Sequence, residues 1–334
     1  MLINKAKIIP IFLMGAFLLT SCSESSIYST TEENKSSPTI QPKAKNMNGL
    51  EDQRNLTPNS MKSLEDINDA LATSGKNIRL SHAETVTLAD GGATEVGQTI
   101  YANDRQKRLS SQWVPGDERR NADGNNLTYL VYEPYAPANW GTPDQVDGEP
   151  AIDSSFDTWN HIKGNAKLNI VKVPDTGLNP SYILGGSPFL ADISEIGFLP
   201  PLYFELFLSP GSSENVLSVT FTFNFVDENG NPTDINNDGY ADTALKEVWY
   251  NDAFLWTDSG NSGDAVDIET VALHENGHAL GFGHFGKISV TDNNNKLHVS
   301  PRAVMNAIIL GTQRDLLGTD KASYNNIYGN WAKN

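Results

Sequence analysis

Apolar residues recur along this chain with different spacings, and each spacing predicts a different element. Ile8 to Leu19 is an unbroken apolar run of 12 residues, too short to cross a bilayer as a helix. Between Ser60 and Thr73, Met61, Leu64, Ile67 and Leu71 return every three or four positions, which predicts an amphipathic helix that Gly75 can end. Ile78, Leu80, Val86 and Leu88 then predict strand. Further strands are expected at Leu127 to Tyr132, Leu168 to Val173, Ala191 to Ile196, Val216 to Phe225 and Ala244 to Tyr250. Helices are expected over Glu149 to His161, with Ile152, Phe156 and Trp159 on one face, and over Ala265 to Gly281. No internal repeat is found.

The 334 residues leave room for one well-buried domain and a long accessory segment. Lys and Arg number 24 against 41 Asp and Glu, a net charge of −17, which argues against nucleic acid or an anionic membrane surface as a partner. Most of the excess is local. Between Ala191 and Thr270 there are 15 acidic residues and one basic residue, Lys246, which reads either as a solvated surface or as bound cations.

Lys5 and Lys7 precede the apolar run, and the small residues Thr20 and Ser21 follow it, so residues 1–21 read as an export signal. Leu19-Thr20-Ser21-Cys22 resembles a bacterial lipobox. That implies a lipidated Cys22 and an exported protein anchored to a bacterial membrane, at the outer membrane or cell surface; the alternative is plain secretion with an incidental cysteine. As the sole cysteine, Cys22 excludes an internal disulfide or a thiolate metal cluster. Residues 22–50, rich in Ser, Thr, Asn, Lys and Pro, suit a flexible tether. Residues 51–122 form an accessory segment, either a propeptide or an N-terminal module, and residues 123–334 the main domain.

On the last predicted helix, the residues from His274 through Glu275, His278 and Gly281 to His284 read HExxHxxGxxH. Four apart, His274 and His278 project from one helical face toward one metal, with Glu275 beside the open coordination position. Gly281 lets the chain leave the helix with positive φ, so that His284 swings back as the third ligand. Three neutral imidazoles and one open position describe a catalytic zinc site rather than a closed structural one. In such a site the pKa of the bound water falls toward about 7, Glu275 takes its proton and hands it to the leaving amine, and zinc polarises the scissile carbonyl. That reaction is peptide hydrolysis. Surface histidines on an amphipathic helix are the alternative reading of the spacing.

HExxHxxGxxH is the signature of the metzincin metallopeptidases, which also carry a methionine-containing turn beneath the zinc. Val304-Met305-Asn306, 21 residues after His284, resembles that turn through Met305. Ala307 stands where astacins and serralysins typically carry tyrosine. Leu127-Thr128-Tyr129, Ala191-Asp192-Ile193 and Leu217 to Phe221 resemble the first, third and edge strands of the matrixins, the group containing the matrix metalloproteinases. Thr319-Asp320 through Asn326 to Gly329 resembles their last helix. The resemblance covers residues 123–334 and implies an α+β catalytic domain with a twisted mixed five-stranded sheet, an active-site helix and a C-terminal helix. It also implies an edge strand that pairs with substrate.

The chain departs from that pattern at Phe285, where matrixins usually have serine, and by about a dozen extra residues between His284 and Met305. Val219 and Trp249 stand where the histidines of a second, structural zinc would fall, so one zinc is expected. Matrixin latency commonly depends on a propeptide cysteine, which the sole Cys22 cannot supply. Asp117, in Trp113-Val114-Pro115-Gly116-Asp117, is the candidate carboxylate for that task, although Pro-Gly-Asp is also a plain turn. In this family the stretch after the methionine floors the specificity pocket. Here Ala307, Ile308, Ile309, Leu310 and Leu316 would fit an apolar residue just after the scissile bond, unless they face the core.

Asp234, Asn236, Asp238 and Asp242 space oxygen ligands around Gly239 as in an EF-hand-type loop, with the carbonyl of Tyr240 contributing. Leu245 stands where the bidentate Glu is expected, so the loop reads either as a calcium site or as an Asx-rich turn. The expected function is a lipid-anchored zinc endopeptidase acting on extracytoplasmic proteins or peptides. The alternative is a surface lipoprotein that keeps the fold for binding without turnover. Glu275 favours the enzyme, since a binding protein needs no base beside the metal.

Overall fold

The computed structural model describes residues 64–88, 108–120, 126–162, 168–186, 189–260, 263, 265–290 and 297–331. The signal, Cys22 and the tether lie outside these residues. All the described residues belong to one compact unit.

In chain order the elements are α1 (Leu64–Thr73), β1 (Ile78–Leu88), β2 (Ser111–Gln112), β3 (Asn126–Val131), α2 (Glu149–Asn160), β4 (Asn169–Lys172) and β5 (Ile193–Leu199). Then come α3 (Pro201–Phe207), α4 (Ser212–Asn215), β6 (Val216–Phe225), β7 (Ala241–Asn251), α5 (Ile268–Ala279), β8 (Ile308–Ile309) and α6 (Gly318–Tyr328). The fold is α+β. Its sheet has the order β8-β1-β6-β7-β5-β3-β4, and β2 pairs with β7. Strands β4, β3, β5 and β7 are parallel, and β6 returns antiparallel to β7.

Five of these eight strands are the ones that the sequence places in the main domain. The other three, β1, β2 and β8, extend the sheet beyond the five expected. β1 belongs to the stretch 51–122 read as accessory, yet it pairs with β6 from Ile78 opposite Phe225 to Thr87 opposite Val216. Strands from both sides of residue 122 thus share one sheet. Alternation along β1 predicts a strand but says nothing of its partner, whereas the unpaired N–H and C=O groups along the edge of β6 need one.

β6 shows why the sheet is buried on both faces. From Ser218 to Phe223 its residues alternate hydroxyl and apolar, and all ten of the strand are buried. Ser218 and Thr220 turn toward α5, where both bond Glu275. Val219, Phe221 and Phe223 face the other way, into an apolar cluster with Ile67 and Leu71 of α1, Phe204 and Phe207 of α3, and Trp249 of β7. On the α5 side a second cluster joins α2, α5 and α6, in which Trp159 stacks on Phe282 at 5.0 Å and Phe282 meets Tyr328 edge-on at 6.1 Å. Helix α3 has no counterpart in the sequence reading. It is seven residues long, too short to show a helical period, and is set by Pro201 in its first turn and by the burial of Tyr203, Phe204 and Phe207.

Candidate metal centre

Helix α5 begins at Asp267, whose carboxylate accepts from Thr270 N at 3.1 Å and from its hydroxyl at 2.7 Å, and is paired with Arg314 at 2.6 Å. Almost every residue of the helix is buried. It ends in a Schellman turn, with Phe282 N bonding Gly277 O and Gly281 N bonding His278 O, both at 2.9 Å. Gly281 has φ +83°, as that turn requires, and the reversed chain brings His284 back against the helix.

The three imidazoles converge. Nε2 of His274 is 3.0 Å from that of His278 and 3.2 Å from that of His284, and the remaining pair is 3.1 Å apart. Nδ1 of His274 bonds Val304 O and Nδ1 of His278 bonds Phe282 O, each at 2.7 Å. A carbonyl only accepts, so those Nδ1 atoms carry the protons and the Nε2 lone pairs face one another. Such a triangle of acceptors needs a cation at its centre, and its edges suit a tetrahedral ion with bonds of about 2.0–2.1 Å to nitrogen. These three histidines can hold a metal ion; among the described residues they are the one such group of three or more His, Cys, Asp or Glu. Burial pushes His274 down to about 4 and holds His278 and His284 well below the usual imidazole range, which keeps the rings in the neutral, ligating form.

Glu275 is fully buried, and burial pushes its carboxyl up to about 8. Ser218 Oγ donates to Oε1 at 2.6 Å and Thr220 Oγ1 donates to Oε2. The rotamer of the acid is thus set by β6, the strand beside α5.

Met305 lies in the turn that receives His274. Asp320 of α6 accepts from Val304 N at 3.0 Å and Met305 N at 3.3 Å, while Phe285 N bonds Met305 O at 2.8 Å. Phe285, where the matrixin pattern has serine, therefore ties the loop of His284 to the turn at Met305 through its backbone. Beyond the turn, Ile308, Ile309 and Leu310 line a pocket with Thr270 and Val304, whereas Leu316 is buried in the α5-side cluster.

Sequence reasoning missed the residues that hold the end of α5. The last carbonyls of a helix have no partner within it. Here His278 O accepts from Lys246 Nζ at 2.8 Å, Ala279 O from Trp113 Nε1 at 2.8 Å, Leu280 O from the Tyr328 hydroxyl at 2.5 Å, and Gly281 O from Leu109 N at 2.9 Å and Gln112 Nε2 at 3.0 Å. Lys246 is the lone basic residue of the acidic stretch, and that isolation was the signal: a single buried cation suits the negative end of a helix.

The acidic residues singled out in the sequence have protein partners. Asp242 is buried, pairs with Arg119 at 2.7 Å and accepts from the Thr233 hydroxyl at 2.6 Å. Asp234 accepts from the backbone N–H groups of Asp238 and Gly239, and Asp238 accepts from Tyr240 N and from the Asn236 amide, bonds of the kind that an Asx-rich turn makes. Asp117 also pairs with Arg119, at 2.7 Å.

Compared with protein-family models and with curated proteins, the chain matches none.

Proposed function

We propose that the chain is a zinc endopeptidase of metzincin type, in which His274, His278 and His284 hold the ion and Glu275 is the general base. The observation that carries this reading is the triangle of inward-facing Nε2 atoms on the helix that also bears the buried Glu275 carboxylate. A zinc ion held there supplies Lewis acidity, lowering the pKa of a water toward about 7 and polarising a carbonyl. The chain's own residues do the rest. Glu275 takes the proton of the attacking water and returns it to the leaving amine, and the hydroxyls of Ser218 and Thr220 hold the carboxylate in one orientation for both transfers. The turn at Met305, fixed by Asp320, braces His274 from below. With an export signal over residues 1–21 and Cys22 as the anchor, the substrates are extracytoplasmic proteins or peptides.

Glu275→Gln tests the reading. The variant should retain one zinc per chain, measured by metal analysis, and lose hydrolysis of a fluorogenic peptide library by about 10²–10⁴-fold, the usual worth of an acid–base group. Retention of more than a tenth of the rate would remove Glu275 from the role, and a chain that binds zinc yet cleaves nothing in any form would be a binding protein.

A further inference from the structure

Ser218 and Thr220 of β6 hold the Glu275 carboxylate, so the outer edge of that strand is the sheet edge beside the three-histidine centre, the place where an extended peptide could add as a further strand. That edge is taken. β1 runs along it antiparallel, and its other side meets β8 in parallel, Thr87 beside Ile308 and Leu88 beside Ile309. Glu84 is opposite Thr220 and Val86 opposite Ser218, the same two residues that hold Glu275. Cross-strand partners share a face, so Glu84 and Val86 point toward α5. Their surroundings agree: the Glu84 carboxylate is 3.9 Å from His284 Nδ1, and Val86 is fully buried in the cluster that contains Met305.

β1 is also unlike its neighbours. β8 flanks only Thr87 and Leu88, and among the described residues no strand pairs with the outer edge of β1 from His82 to Thr85: these four residues are only half-buried, where β6 beside them is buried throughout, and the buried Nε2 of His82 has no hydrogen-bond partner. The firm attachment lies farther back. Ile67 and Leu71 of α1 pack in one cluster with Ile78 and Leu80, and the Asn68 amide makes two bonds to the backbone of Leu80, at 2.7 and 3.0 Å. An anchored base followed by a shallow stretch over the reactive centre is the arrangement of a strap.

We infer that residues 78–88 are an intramolecular occupant of the peptide-binding groove between β6 and β8, which keeps the chain latent until the strand is displaced. This rests on the peptidase reading. The groove then takes an extended peptide antiparallel to β6 and parallel to β8, with an aliphatic side chain in the seat of Val86 and a carboxylate in that of Glu84. Strand addition at a single edge cannot seat two strands at once, so a substrate competes with β1.

Two full-chain variants test this. Val86→Asp puts a carboxylate into the apolar seat, and Asn68→Ala cuts the two bonds behind it. Hydrogen exchange followed by mass spectrometry should show residues 78–88 exchanging at least tenfold faster in Val86→Asp, and less so in Asn68→Ala, with α5 and β7 still protected. A fluorescent synthetic peptide of residues 78–88 should bind the freed chain and not the wild type, and kcat/KM for a peptide library should rise at least tenfold. Release of β1 with peptide binding but no hydrolysis would sink the peptidase reading and leave the occupied groove standing. Loss of protection in α5 and β7 together with β1, in both variants, would make β1 an integral strand and overturn the inference. Release of β1 without peptide binding would overturn it as well.

Discussion

The thioether of Met305 fills the place that a side chain on Gly277 would need. A Cβ at Gly277 would fall deep inside the van der Waals radius of Met305 Sδ and 3.1 Å from a ring carbon of Trp159. Gly277 lies between His274 and His278, so the turn at Met305 approaches the helix where the helix has no bulk.

Gly277→Ala should therefore destabilise the chain by about 1–3 kcal/mol although alanine is the better helix former, because overpacking outweighs propensity. Thermal melting checks it. In a Met305→Ala background the same change should cost less, since the obstructing sulfur is gone, and a double-mutant cycle gives the difference directly.

Lys246→Met should lower stability by about 1–2 kcal/mol, the cost of taking the side-chain donor from a buried carbonyl at the end of α5 that keeps only its backbone bond from Gly281 N. Methionine keeps the length and apolar stem of lysine, so packing changes little. Because His278 lies on the frayed turn, zinc affinity should fall with it, measured by competition with a chromophoric chelator.

Arg119 bridges Asp117 and Asp242, whose side chains are 2% and 0% exposed. Arg119→Ala leaves two buried carboxylates facing each other and should cost about 3 kcal/mol at pH 7. Chemical denaturation measures it. Arg119→Met, which keeps the apolar stem, should lose as much, and a loss confined to the alanine variant would show that only packing had changed.

Glu195 gives a pH dependence that can be isolated. It is fully buried on β5, accepts from the Tyr250 hydroxyl at 2.8 Å, and is pushed by burial from 4.5 up to about 8. The folded state thus holds a proton that the unfolded state loses above 4.5, so this group's contribution to stability declines as pH rises from 4.5 to 8, by about 1.4 kcal/mol per pH unit, and is constant above. Glu195→Gln has no such term. The melting temperature of the variant minus that of the wild type should climb across this window and level off beyond it; a flat difference would mean that Glu195 is ionised throughout.

What the sequence determined by itself was local. The spacing of His274 and His278, the acid beside them and the glycine that lets His284 return are set within eleven residues by the period of one helix and the φ of one turn. Strands β3 to β7 and helices α2 and α5 were legible for the same reason: alternation and helical period are properties of the backbone over a few residues. The tertiary structure decided everything that depends on partners far along the chain. Lys246 and Trp113 reach α5 from 32 and 166 residues away. Asp242 and Asp117 meet at Arg119, because one guanidinium fork satisfies two buried carboxylates at once. The seat of β1 between β6 and β8 was decided there too. A strand's pattern shows which of its faces is buried, but the edge it pairs with is chosen by which backbone groups the rest of the fold leaves unpaired.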